Sequence, residues 1–288
     1  MKKKMRNVYA AISALMLALM TSGCNGVSSF GYNPFPNISI KEEAHLTEDK
    51  DSPFCDFTID YSYVNEKGDS TASIINRETQ RELLGEDYAN LSPKVALDSF
   101  KNVYIRDYRE VTEGFYRVDG GRNGNYSLPK WYERTYTLMT FAEEGREGII
   151  NISANYFEDM AGPHPNQHGR WLNFDANTGK LLTQEDVFLE EAKVEIEQML
   201  IQKILVQQAE LYPEENIETL EDLREKGILE YTNIYIPDNF LLAKDKVSFL
   251  FNRYDIAPYS VGETVIDMTY EEIGHCLKGE ISSNPIIK

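Results

Sequence analysis

Two histidines near the middle of the chain, His164 and His168, are the residues best suited to metal or acid–base chemistry. A spacing of four residues would place both imidazoles on one face of a helix, an arrangement that suits a metal ion. Prolines on both sides of His164 disfavour a helix, so the spacing loses that meaning. Glu158 and Asp159 could still complete a metal site in a loop. The alternative, which we favour, is that the imidazoles hold the loop in place by hydrogen bonds. We therefore predict no bound metal.

Two tyrosines, Tyr254 and Tyr259, form a second candidate group in the segment RYDIAPYSVG. Aromatic residues on a loop between strands can form a recognition surface. Such residues also pack at sheet edges, and this alternative stays open here. Gly162 is a further candidate, although backbone geometry alone explains a glycine in such a loop. The predicted ligand-binding residues are Gly162, His164, His168, Tyr254 and Tyr259.

No residue carries a recognisable catalytic signature. Glycan hydrolysis needs two positioned carboxylates. Among 47 acidic residues some pair always looks suitable, so such a pair does not indicate a glycan hydrolase. There is no G-x-S-x-G motif, and Cys55 and Cys276 lie in none of the usual nucleophile contexts. We predict a non-catalytic protein without a cofactor. The alternative is a metal-dependent or carboxylate-dependent hydrolase that uses the His164 loop.

The N-terminus has the pattern of an export signal. A basic start, KKKMR, precedes an apolar run from Val8 to Met20 that is too short to span a bilayer. The run ends at TSGC, which resembles a bacterial lipobox. We predict a signal peptide over residues 1–23 and a lipid, such as palmitate, on Cys24. An ordinary signal peptide with an unmodified cysteine is the alternative.

The residues that follow Cys24 and the net charge predict a stalk, a membrane location and the kind of partner. Residues 24–53 are rich in Ser, Asn, Pro and acidic residues, so we predict a flexible stalk after the lipidated cysteine. No Asp follows Cys24, which does not favour retention in the inner membrane, so we predict a lipoprotein of the cell envelope that is anchored in the outer membrane. The net charge of −18 argues against nucleic acid and against an anionic membrane surface as the main partner.

The folded part is predicted to be α+β, with antiparallel sheets packed against helices in two small units. The first unit spans residues 54–168 and the second spans residues 169–288. Apolar spacing and turn residues predict helices at 92–111, 190–211 and 220–227. Residues 70–84 are predicted to be a short helix, or a strand leading into one, that stops at Gly85. Alternation predicts eight strands: 57–64, 132–141, 148–156, 170–175, 233–236, 240–243, 246–251 and 264–268.

The two cysteines after Cys24 lie near opposite ends of the folded part. Because an exported chain meets an oxidising compartment, a disulfide between Cys55 and Cys276 is one alternative. Two buried free thiols are the other, and the residues themselves do not decide between them.

Two stretches resemble a family of exported proteins of unassigned function: AGPHP followed by WLNFDANTGKLLTQEDVF, and FNRYDIAPYSVGETVIDMTYEEI. The same domains occur in the extracellular region of the lysozyme-sensing anti-sigma factor RsiV and in the non-catalytic region of some peptidoglycan deacetylases. The resemblance implies a lysozyme-like protein or peptidoglycan as the ligand. The family loop reads Gly-Gly-Ala-His, so only Gly162 and His164 match it, and Ala161 replaces the first glycine.

We predict that Cys24→Ser abolishes lipid labelling and releases the protein from membranes, because the acyl chain is the anchor. Metabolic labelling with a palmitate analogue and membrane fractionation test this. A serine variant that stays labelled and membrane-bound would show that the lipid is not attached at Cys24.

Overall fold

The computed structural model describes residues 33–116, 130–231 and 233–279. The predicted signal peptide, Cys24 and the first part of the predicted stalk lie outside these ranges. No helix within the described ranges combines the length and the apolar composition that crossing a bilayer requires. The architecture is α+β, as predicted, with one sheet of five strands and another of three.

The larger sheet has its strands in chain order, and the β2–β3 pair is parallel while the other pairs are antiparallel. In β2 the side chains alternate, so that Cys55, Phe57 and Ile59 point into the core and Asp56 and Asp60 point to solvent. The strands are β1 (Asn37–His45), β2 (Phe54–Ser62), β3 (Arg134–Glu144), β4 (Ile149–Asp159) and β5 (Asn166–Asp175).

Helices cover one face of this sheet. The first begins where the Asp69 carboxylate accepts a hydrogen bond from the Thr71 amide. It ends at Gly85, the residue predicted to stop it. A core of apolar and aromatic side chains fills the space between helices and sheet, with Phe57 stacked on Tyr136. The helices are α1 (Ser70–Leu84), α2 (Glu86–Ala89), α3 (Pro93–Arg109) and α4 (Thr112–Gly114).

Strand β1 corrects the predicted stalk, which was expected to be flexible to residue 53. Residues 37–45 instead pair along their whole length with β2. Composition misled because this edge strand is half polar: Ile40 and Ala44 are buried, whereas Glu42 forms an ion pair with Lys101 at 2.6 Å. A strand with one solvated face needs only a few apolar residues.

The second half of the chain surrounds the smaller sheet, which has the order β6-β7-β8 and is antiparallel throughout. The amide of Thr183 donates to the carboxylate of Asp186 at 3.1 Å, so this pair caps the start of the short helix that follows. The elements are α5 (Gln184–Val187), α6 (Lys193–Leu211), α7 (Leu220–Glu225), β6 (Phe240–Leu242), β7 (Lys246–Phe251), β8 (Thr264–Thr269) and α8 (Tyr270–Ile273).

One predicted strand in this half is wrong. Residues 233–236 are irregular and belong to neither sheet. Ile234 and Ile236 are nevertheless buried in the C-terminal core. The alternating apolar residues therefore predicted correctly that this segment is buried. The segment does not pair with a strand, however.

Buried asparagines join β5 to the smaller sheet. Asn173 donates to the carbonyl of Phe240 at 2.9 Å, and its side-chain oxygen accepts from the amide of Leu242 at 2.8 Å and from the side chain of Asn151 at 2.9 Å. The predicted unit boundary at 168/169 falls within β5, whose Leu172 packs in the N-terminal core. A single strand therefore serves both halves.

We predict that Asn173→Ala lowers the free energy of unfolding by about 2–4 kcal/mol, because several buried polar groups lose their partner at about 1–3 kcal/mol each. Asn155→Ala, at an exposed position of β4, is the control and should change stability by no more than about 0.5 kcal/mol. Urea unfolding of both variants measures the difference. Equal losses would show that the Asn173 bridge does not stabilise the junction.

Candidate functional site

The structure brings three of the predicted ligand-binding residues together. The hydroxyl of Tyr254 lies 2.8 Å from Nε2 of His164. The rings of His164 and Tyr259 are stacked, with centroids 3.9 Å apart and planes 16° apart. His164 and Tyr254 are both exposed to solvent. We call His164, Tyr254 and Tyr259 the aromatic cluster, and it is the candidate functional site.

Asparagine side chains set the position of the two loops that carry the cluster. Asn252 accepts a hydrogen bond from the amide of Gly169 at 2.7 Å and donates to the Gly169 carbonyl at 3.1 Å. Asn239 donates to the same carbonyl at 3.1 Å and accepts from the amide of Trp171 at 3.1 Å. Because Gly169 follows the His164 loop and Asn252 precedes Tyr254, this clamp sets the separation of the two loops.

Gly169 has a packing reason to be glycine. A Cβ at this position would lie 2.6 Å from Cδ2 of Leu250, whose side chain is buried. The close approach of β5 to β7 therefore depends on the missing side chain. Gly162, by contrast, is exposed, and the nearest atom to an added Cβ would be the His164 carbonyl oxygen at 3.7 Å. Gly162 is not part of the aromatic cluster.

Backbone strain lies in the same two loops. Among the described residues, the non-glycine residues with positive φ are Ala161, at 56°, and Tyr254, at 71°. Each is held by hydrogen bonds: Ala161 donates its amide to Asp159 at 2.8 Å, and Tyr254 donates its amide to the Ala257 carbonyl at 3.0 Å. Left-handed backbone at such residues costs about 1–3 kcal/mol and is concentrated at functional sites.

A charged pair lies behind the cluster. The guanidinium of Arg253 lies 5.2 Å from the centroid of the Tyr259 ring and forms an ion pair with Glu263 at 2.8 Å. Burial raises the pKa of Glu263, and the charge of Arg253 opposes that rise. Burial also raises the pKa of Asp255, in the turn that carries Tyr254. The cluster therefore combines stacked aromatic rings with a hydrogen-bonded imidazole and phenol beside an ion pair.

His168 lies apart from the aromatic cluster. Its ring stacks on Tyr156, with centroids 4.5 Å apart and planes 14° apart, and burial lowers its pKa. The two histidines of the loop therefore do not converge, and within the described residues neither belongs to a group of three candidate metal ligands. The carboxylates considered as their co-ligands have other partners, since Glu158 accepts from Tyr104 and Asp159 accepts from Ala161. These contacts do not support a metal site in the His164 loop.

The two cysteines of the folded part are free and buried. Of the two alternatives, a disulfide or two buried free thiols, the structure has the free thiols. Cys55 lies in the N-terminal core and Cys276 in the C-terminal core. Burial raises the pKa of Cys55 to about 11 and also raises that of Cys276. A nucleophilic cysteine needs a lowered pKa and access to solvent, so neither thiol is a catalytic nucleophile.

The fold and the site together define an α+β protein with two sheets and an exposed aromatic cluster where the sheets meet. Residues 185–271 match the family described as a protein of unknown function, DUF3298. No curated protein matches the sequence.

Two solved structures resemble the whole described fold. A member of the DUF3298 family from Bacteroides fragilis aligns over 87% of this chain and 97% of its own, with a TM-score of 0.74 and 26% identity. A DUF3298 family protein from Pseudomonas aeruginosa aligns over 88% and 97%, with a TM-score of 0.55 and 13% identity. The resemblance to RsiV and to peptidoglycan deacetylases is tested by none of these matches and stays a prediction.

Sequence reasoning missed two groups of residues. The asparagine clamp was not predicted because Asn239 and Asn252 lie in loops, where asparagine is common for turn geometry alone. A group formed by Glu195, His275 and Cys276 was also missed. The adjacent His275 and Cys276 were the available signal, but the third member is eighty residues away.

We predict that Ala161→Gly raises the free energy of unfolding by about 0.5–1 kcal/mol, because glycine adopts this backbone conformation without strain. Ala209→Gly, within helix α6, is the matched control and should lower stability by about 0.5–1 kcal/mol. Thermal unfolding of both variants tests whether their changes in stability have opposite signs. Destabilisation by Ala161→Gly would mean that the left-handed backbone at this residue carries no strain.

Proposed function

We propose that this protein is a non-catalytic lipoprotein of the bacterial cell envelope that binds another protein through the aromatic cluster. The observation that carries the proposal is the exposed, hydrogen-bonded pair of His164 and Tyr254, with the half-buried Tyr259 ring stacked on His164. Tyrosine is enriched among the residues that dominate protein–protein binding energy. The Asn252 clamp holds the cluster before any partner arrives, which lowers the entropy lost on binding.

Electrostatics favour a basic partner. The chain carries a net charge of −18, and so large an excess of negative charge accelerates association with positively charged proteins. The resemblance to the extracellular region of RsiV supports a lysozyme-like protein as that partner. The predicted lipid at Cys24 would hold the binding domain at the membrane, where it meets proteins that enter the envelope.

The binding of a basic lysozyme to the full-length protein in detergent tests this proposal. We predict that Tyr254→Ala and Tyr259→Ala each weaken binding by at least about tenfold, or roughly 1.4 kcal/mol. Tyr116→Ala is the matched control, because Tyr116 is 54% exposed and Tyr254 is 52% exposed. It should leave the affinity unchanged, and higher salt should weaken binding by the parent protein.

Two results would contradict the proposal. One is equal weakening by Tyr116→Ala and the cluster variants, which would place the binding surface elsewhere. The other is binding of soluble peptidoglycan fragments without binding of lysozyme, which would replace the protein partner by a cell-wall ligand.

A further inference from the structure

Three different metal-ligand types converge on the C-terminal half of the protein, away from the residues of the aromatic cluster. Glu195 lies in the first turn of α6, and His275 and Cys276 lie in the 3-10 turn Gly274–Cys276 that follows α8. Oε1 of Glu195 is 2.9 Å from Nε2 of His275. The carboxylate, imidazole and thiol ligand atoms all lie within 4.8 Å of one another.

Backbone pairing holds the two segments together without help from these side chains. The amide of Leu189, shortly before α6, donates to the carbonyl of Cys276 at 2.9 Å. The amide of Lys278 donates to the carbonyl of Val187, also at 2.9 Å, and Phe188 forms an isolated bridge with Leu277. The fold itself therefore brings the three ligand atoms together.

We propose that Glu195, His275 and Cys276 bind a zinc ion. Zinc takes carboxylate oxygen, imidazole nitrogen and thiolate sulfur in a tetrahedral arrangement with bonds of about 2.0–2.3 Å. Such bonds place neighbouring donor atoms roughly 3.4–3.7 Å apart, so the side chains here need to shift by only about an ångström. Calcium and magnesium prefer sets made of oxygen alone and do not suit this group.

The exposure and burial of the three side chains suit this role. Glu195 and His275 are both exposed and pair with each other, so an ion that replaces this pairing meets both ligands at the surface. Cys276 is fully buried beneath them and supplies a fixed sulfur. When the zinc–sulfur bond forms, the thiol proton passes to solvent, so the ion binds to the thiolate.

One member of the group also faces an open surface groove, whose lining does not include His275 or Cys276. Glu195 also lines a groove of about 740 Å³ between α6 and β8, together with Met199, Lys203 and Val265. Three protein ligands leave the fourth position of a tetrahedral zinc to water or to a small anionic ligand from solution. The site is therefore of the accessible kind rather than a closed structural one.

Titration of the full-length, reduced protein with Co²⁺ and Zn²⁺ tests the proposal. We expect one bound ion per chain and a thiolate-to-Co²⁺ charge-transfer absorption. Cys276→Ser should remove that absorption, whereas Cys55→Ser, which changes the buried thiol of the other core, should retain it. Glu195→Gln and His275→Gln should each weaken zinc binding by at least about tenfold, and His164→Gln should leave it unchanged.

Because Cys276 is buried, its serine variant could fail to fold, and the exposed positions then decide the question. Unchanged zinc affinity in both Glu195→Gln and His275→Gln would overturn the proposed zinc site. Glu195 and His275 would then be only a surface ion pair near a buried thiol. An absent charge-transfer absorption in the parent protein, or one that persists in folded Cys276→Ser, would also overturn it.

Discussion

The backbone groups along the free edge of β5 are the constraint on which the rest of the structure depends. Within the described residues no further strand extends the sheet at this edge, and backbone pairing with residues 180–182 reaches only residues 173–175. Unsatisfied backbone groups near a core are costly. Asn239 and Asn252 supply side-chain amides that pair with the backbone of Gly169 and Trp171. Asn173 connects the same strand to β6. Amide side chains thus replace a strand and join the two sheets.

This junction also explains where the aromatic cluster lies. The loop that carries His164 leads into β5, and the turn that carries Tyr254 follows β7. Holding β5 against the turn after β7 brings a stacked imidazole and two phenol rings to one exposed place. The positive φ at Ala161 and Tyr254 is the cost of turning both loops toward each other, and the surrounding hydrogen bonds offset it.

The two functional places that we propose share no residues. The aromatic cluster combines aromatic rings with polar side-chain atoms, a combination that suits binding to a protein surface. The group around Cys276 offers donor atoms of three elements, which suits a metal ion. The binding protein with a metal site that we propose accounts for both places.

Local patterns in the sequence determined most of the helices and strands. Helices α3 and α6 and strands β3 and β4 depend on neighbouring residues, so short-range spacing predicts them. Local patterns failed for β1, because a half-polar edge strand has the composition of a flexible segment. They failed again for residues 233–236, where alternating burial occurs without strand pairing.

The contacts that form the two candidate sites could be found only from the tertiary structure. Sequence alone singled out His164, Tyr254 and Tyr259, but not that His164 and Tyr254, ninety residues apart, share a hydrogen bond. It also did not show that Glu195 and His275, eighty residues apart, are in contact. Short-range order follows from backbone geometry and neighbouring side chains, which the sequence states directly. Contacts at long range follow from how whole sheets pack, and here that packing is set by asparagine side chains at the edge of β5.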